Sequence, residues 1–213
     1  RGRGAQGRPG KDPAVSAAEP IPSLPLELPL AEETVRSLRA GQFLELTGTI
    51  WTARDAAHRY LADERNPVPF PAGNAVFYHC GPVVTRAGDG WRVTAAGPTT
   101  SSREEPYMAR LIERFRLRGI IGKGGMGPAT LAACRQFGCL YLHAVGGAAQ
   151  VLASRIRRVA GVHLEQFGPP EAVWQLEVER FPVLVTMDAH GESLHEEVRR
   201  ESARRLAELL ATH

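Results

Sequence analysis

Residues 119–144 read GIIGKGGMGPATLAACRQFGCLYLHA, and this stretch decides the fold class. Gly119, Ile120 and Ile121 are a short apolar run of the kind that fills a buried strand. The run breaks into Gly122-Lys123-Gly124-Gly125-Met126, after which Pro128 suits the first turn of a helix reaching about Phe137. Leu140 to Ala144 repeats the strand pattern. Strand, glycine loop, helix, strand is the signature of a βαβ unit, so the chain is expected to be an α/β protein.

Working outward, Gly146-Gly147-Ala148-Ala149 opens a further helix with small residues that permit close backbone approach. Strands are expected at 176–178 and at 182–187, the latter ending in Asp188-Ala189-His190-Gly191. A last helix over 194–210 is expected to turn Leu194, Val198, Leu206, Leu209 and Leu210 inward. Upstream, Pro106 opens a helix whose Met108, Leu111, Ile112 and Phe115 recur at helical spacing. Strands at 74–80 and 91–96 are separated by Gly81-Pro82 and Gly88-Asp89-Gly90. A helix over 54–62 follows a β-prone run at 43–50, and a short helix over 31–40 closes at Gly41. The proline-spaced 21–30 suits an extended segment at a sheet edge or a subunit contact. Residues 1–20 are rich in Gly, Pro, Arg and Ala with little to bury, and are expected to form a disordered basic tail.

A length of 213 residues suits one substantial core, so 21–213 is expected to be a single domain. The net charge of +3 is small and partly carried by Arg1, Arg3, Arg8 and Lys11, and aromatic residues are not interleaved with basic ones. No nucleic-acid partner is expected. Cys80, Cys134 and Cys139 form no C-x-x-C pair or zinc-like spacing, and a four-iron cluster needs about three or four converging thiolates. No run of about 18 apolar residues is present, so no membrane span is expected. The basic N-terminal stretch lacks the apolar centre of a secretory signal, which leaves a cytoplasmic location as the expectation.

Three clusters that follow strands carry possible chemistry. In 122–127 a lysine lies among glycines, in a chain where only Lys11 and Lys123 of 26 basic residues are lysines. Backbone N–H groups and the N-terminus of the following helix would make this an anion site; the alternative is a flexible turn with an exposed lysine. In 97–103, Gly-Pro-Thr-Thr-Ser-Ser-Arg, hydroxyls and Arg103 could bind a carboxylate or could simply bond their own backbone, and spacing does not decide. In 52–58, Arg54 and His58 share a helix face with Asp55 beside them, an arrangement that taken alone reads as a surface pair. Three such loops suggest one anionic ligand across the strand ends, as in open α/β sheets. Asp188, His190 and Ser193 crowd one turn without a G-x-S-x-G elbow, which argues against a hydrolase triad. His79, Cys80, His143, His190 and His195 have no spacing that specifies a metal.

TARDAAH at 52–58, GPTTSSR at 97–103, IGKGGMG at 121–127, GGAA at 146–149 and FPVLVTMDAHGESL at 181–194, with YHCGP at 78–82, occur in an order that resembles the β subunit of class I fumarases and L-tartrate dehydratases. The resemblance implies a swivelling β/β/α domain, a mixed sheet with flanking helices, over 21–213. It also implies reversible hydration of fumarate to (S)-malate, or the corresponding L-tartrate dehydration, in a heteromer with a cluster-bearing α subunit, as a homodimer or α2β2 assembly. The four-iron four-sulfur cluster would belong to that partner and not to this chain. Carried over by position, Arg54, Arg103 and Lys123 would bind substrate carboxylates, Lys123 also serving catalysis, and Thr99 would be the candidate base. A threonine hydroxyl is too weak a base alone, so an activating carboxylate would come from the α subunit. The family more often has Arg-Met after the GPTT turn, whereas Arg103 here precedes Glu104-Glu105, acids that would weaken anion binding or pair with another cation. A non-catalytic anion-binding scaffold domain is the alternative from another class.

Overall fold

The computed structural model describes residues 22–211, and the expected tail at 1–20 lies outside them. In chain order the elements are β1 (Ser23–Glu27), α1 (Glu32–Ser37), β2 (Phe43–Thr52), α2 (Asp55–Ala62), β3 (Val76–Tyr78), β4 (Val83–Ala87) and β5 (Gly90–Ala95). A 3-10 turn (Ser101–Glu104) then runs into α3 (Glu105–Phe115), followed by β6 (Gly119–Gly122), α4 (Pro128–Phe137), β7 (Leu140–His143) and α5 (Ala149–Ser154). β8 (Ile156–His163), β9 (Val173–Met187) and α6 (Leu194–Ala211) complete the described chain.

The βαβ expectation holds: β6 and β7 pair in parallel, Ile120 opposite Tyr141 and Ile121 opposite Leu142, with α4 as the crossover. β3 extends this parallel set beside β6, and β2 beside β3. The sheet is mixed because β9 runs antiparallel to both β7 and β2. Those two pairings join the ends of the set, so β2, β3, β6, β7 and β9 form a closed ring. β1 lies parallel to β2, an edge strand built from the proline-spaced segment, and β8 pairs with β9.

Strand alternation distributes the ring's side chains between two cores. Leu44, Leu46 and Ile50 of β2 join Tyr78, Ile121, Leu142 and Val185 in one. Their neighbours Trp51, Phe77, Ile120 and Tyr141 face the other way, packing with Leu61 of α2, Met108, Leu111 and Ile112 of α3 and Cys134 of α4. Each fully buried side chain of this size contributes roughly 1.5–3 kcal/mol, so the apolar stripe of α3 is enough to fix the helical layer on the ring.

Three sequence expectations are corrected. The stretch read as separate strands at 176–178 and 182–187 is one strand of 15 residues, interrupted by Arg180 at φ 51 and a register shift opposite Leu46 and Gly48. A bulge absorbs the irregular dipeptide without ending the strand. β4 and β8 were not expected; both are largely exposed or half-buried, so they lack the apolar run that marks a buried strand. Finally, α6 buries none of its residues, and Val198 and Leu206 are 65% and 57% exposed. Helical periodicity identifies an apolar stripe but not a partner for it within the same chain.

Candidate functional site

Because β2, β3, β6 and β7 are parallel, their carboxyl ends open on one side of the molecule, and the segments leaving them bring the candidate residues there. Arg54 is two residues past β2, at the N-cap of α2, with Nε 3.4 Å from a Glu171 carboxylate oxygen. Glu171 also accepts the Ala56 N–H at 2.9 Å, so it caps α2 while orienting Arg54. Segment 97–101 threads between the ends of β3 and β6. Thr99 N–H donates to the His79 carbonyl at 2.7 Å, Lys123 N–H donates to the Thr99 carbonyl at 3.3 Å, and Ser101 N–H donates to the Lys123 carbonyl at 3.1 Å. Thr99 and Lys123 are therefore backbone neighbours. The Thr99 hydroxyl donates to the His79 carbonyl at 3.1 Å.

Arg103 pairs with Asp55, the residue after Arg54, so the two arginines are held as neighbours through α2 and the 3-10 turn. All four candidate residues thus lie at one end of the ring. The arginine pair is tied to the Thr99–Lys123 pair through the chain 99–103. Arg103 is 57% exposed and Arg54 23%, both reachable by a ligand. Among the described residues no carboxylate lies within ion-pair distance of Lys123.

The glycine loop differs from expectation in one respect. The N-terminus of α4 is not open to an anion, because Glu105 fills it. Its carboxylate accepts Gly127 N–H at 2.7 Å, Thr130 N–H at 3.2 Å and the Thr130 hydroxyl at 2.7 Å. The helix dipole is already complemented from within, and Lys123 is the loop's remaining cation. Gly122 must be glycine for a different reason: a Cβ there would lie 1.9 Å from the Ser101 hydroxyl and 2.9 Å from the Tyr141 hydroxyl. Those hydroxyls belong to a buried polar layer.

That layer was not legible in the sequence. Tyr141 donates to Ser101 at 2.8 Å, and Ser101 lies 2.8 Å from Nδ1 of His79. The His79 ring meets the His58 ring edge-on at 4.9 Å, and His58 Nδ1 lies 2.9 Å from the Arg54 carbonyl and 3.3 Å from the Glu104 carboxyl. A carbonyl only accepts, so His58 carries its proton on Nδ1. Burial pushes His58 down to about 4 and His79 well below the ordinary histidine range, keeping both neutral. Glu104 is only 2% exposed, and burial, reinforced by a hydrogen bond and like charge from Asp55, raises it to about 8. Neither acid after Arg103 is therefore a free charge beside it: Glu104 points into the protein and Glu105 caps α4. Only the i, i+4 spacing of Arg54 and His58 hinted at this layer.

The remaining clusters are structural. Asp188 is buried and accepts N–H groups from Ala40, His190 and Glu192, which organises the turn after β9, while His190 bonds the Arg36 carbonyl. His195 Nε2 lies 3.0 Å from the Thr186 hydroxyl and packs behind Gly125. Among the described residues no three His, Cys, Asp or Glu side chains are grouped to hold a metal. Cys80, Cys134 and Cys139 are buried thiols, and burial raises Cys80 to about 12, the reverse of what a thiolate ligand requires. These residues do not fit an iron–sulfur cluster. No helix among the described residues is long and apolar enough to cross a membrane.

The family model described as "Fumarase C-terminus" matches residues 10–198. A Geobacillus stearothermophilus protein assigned the name fumarate hydratase class I is 47% identical over 184 residues, 86% of this chain and 35% of that protein. The chain thus spans about a third of that relative. A Methanocaldococcus jannaschii protein assigned the name L(+)-tartrate dehydratase subunit beta is 38% identical over 85% of this chain and 95% of its own length. The L(+)-tartrate dehydratase subunit beta of Escherichia coli (strain K12) is 36% identical over 79% of this chain and 85% of its own length. Both kinds of relative are hydro-lyases by name. With the family model covering most of its length, this chain belongs to the fumarase C-terminus family.

Proposed function

We propose that the chain is the β subunit of a two-subunit, iron–sulfur-dependent hydro-lyase that interconverts fumarate and (S)-malate. The observation that supports this best is the placement of Arg54, Thr99, Arg103 and Lys123 at one end of the ring, with Thr99 and Lys123 joined backbone to backbone. In this reading the two arginines and Lys123 bind the substrate carboxylates, arginine through paired N–H donors and lysine as a compact charge. Lys123 suits that task because no carboxylate of the described residues competes for it. Thr99 takes the proton from the substrate carbon. Its hydroxyl needs an activating carboxylate, which the α subunit supplies across the open side of the site. The cluster belongs to that same partner, and this chain's part is to bind, orient and move the proton.

L-tartrate is the second reading, supported by relatives so named whose own lengths are matched to 95% and 85%. Anaerobic co-expression with a cluster-bearing α subunit, followed by assays on fumarate, malate and L-tartrate, decides between them. Activity on none of the three would favour a non-catalytic anion-binding role. In the active complex, Lys123→Ala should lower kcat/KM by roughly 100-fold or more while leaving assembly intact, since it removes a charge at the reacting ligand. Ordinary turnover in that variant would reject the assignment.

A further inference from the structure

In segment 97–103 Thr99 is half-buried and Arg103 exposed, whereas Ser101 between them is fully buried. The backbone tie of this segment to the end of β6 is slight. Thr100 and Lys123 form an isolated parallel bridge, closed by the two bonds at 3.3 and 3.1 Å around Lys123, at the long end of the N–H···O range. The Ser101 side chain supplies a second anchor. Its Oγ occupies the space that Gly122 of β6 leaves open, where a Cβ would come within 1.9 Å of it. From there it meets the Tyr141 hydroxyl of β7 at 2.8 Å and Nδ1 of His79, just past β3, also at 2.8 Å. One hydroxyl thus ties the segment across the ends of three neighbouring parallel strands, β3, β6 and β7. His79 is engaged at both its ends, because its carbonyl accepts the Thr99 N–H at 2.7 Å and the Thr99 hydroxyl at 3.1 Å. Tyr141, Ser101 and His79 have no solvent exposure. Burial keeps the phenol protonated and the imidazole neutral, so the trio brings no charge to the site and acts on it through geometry.

We propose that Ser101 is a positioning residue: clamped by Tyr141 and His79, its buried hydroxyl sets where Thr99 stands relative to Lys123. For its effect on a reaction this rests on the proposed function above. Arg54 and Arg103 are held separately, through Glu171 and Asp55. Loss of the clamp therefore bears on proton transfer at Thr99 more than on carboxylate binding by the arginines. A displacement of about 1 Å at a reacting group is enough to cost about 100-fold in rate.

Two measurements test it. In the full chain without a partner, Ser101→Ala should let the amides of Thr99 and Lys123 exchange about tenfold faster, with those of β8 and β9 unchanged. Tyr141→Phe keeps the ring and removes one bond to Ser101; it should give a smaller rise of about threefold, and it serves where Ser101→Ala does not fold. Exchange at Thr99 and Lys123 as slow as in wild type overturns the proposal whatever the enzyme does. In the active α–β complex, Ser101→Ala should lower kcat about 30-fold with KM within about threefold of wild type. Tyr141→Phe should lower kcat about fivefold alone and no further in the Ser101→Ala background, since it acts through Ser101. A merely structural hydroxyl would lower the melting temperature and leave kcat unchanged below it. That result, or additive losses in the double variant, overturns the proposal. If the complex turns over none of the three acids while exchange rises as expected, the functional reading fails and the clamp on Thr99 stands.

Discussion

At the residue scale, the polar layer under the site gives the protein opposing pH dependences. His58 binds a proton near 6.5 when unfolded but only near 4 when folded, so its contribution is complete above 6.5 and is lost as pH falls through that window. Glu104 has the opposite sign. Its carboxyl ionises near 4.5 in the unfolded chain and near 8 in the folded one, so stability is complete below 4.5 and declines as pH rises towards 8. Urea unfolding of Glu104→Gln and wild type should therefore diverge progressively in favour of the variant from pH 5 to pH 8, and parallel curves would place the ionised form in the native state. Of the site itself, the segments 52–58, 97–103 and 122–127 stood out in the sequence because each follows a strand, whereas Thr99 and the roles of Arg54, Arg103 and Lys123 came from the family resemblance and not from local pattern. The polar layer of His79, Ser101 and Tyr141 could not be read there, because a buried histidine beside a strand end looks the same in sequence whether or not it meets a serine 22 residues away.

At the element scale, the loops are held by contacts that local pattern does not reveal. Glu105 leads α3 yet caps α4, so its role depends on two helices packing side by side. Replacing it with alanine should cost about 1 kcal/mol in unfolding free energy, the usual worth of a cap, and should loosen the loop around Lys123 as read by amide exchange at 124–130. Gly122→Ala tests the close approach at the end of β6. A methyl group overlapping the Ser101 hydroxyl should destabilise the chain by roughly 1–3 kcal/mol and displace the 99–101 segment, visible as lost activity in the complex. The βαβ unit was legible because strand, glycine, proline and apolar period agree there. β8 was missed because Arg157 and Arg158 interrupt any alternation, and β9 was read in two pieces because Arg180 and Pro182 mimic a turn.

At the scale of the molecule, α6 touches the ring through His195, and its residues beyond Glu197 are all exposed. Cutting the chain after Glu197, which keeps His195 against Thr186, should shift the melting temperature by no more than about 2 °C, since only exposed side chains leave. A larger drop would mean that the helix packs in solution. The ring was the part of the architecture least accessible to sequence reading: which strands become neighbours is a long-range property, and nothing in 43–52 announces that its partner lies at 175–184.

That distant pairing also governs how the protein is made. β2 leaves the ribosome more than a hundred residues before β9, so the β2 edge waits, unpaired, until almost all of the described chain has been translated. Contacts of such wide sequence separation place refolding toward the slow, millisecond-to-second end for small domains. The helix-linked β6–β7 pair has no such wait, and pulse-labelled exchange during refolding should find its amides protected well ahead of those in β2.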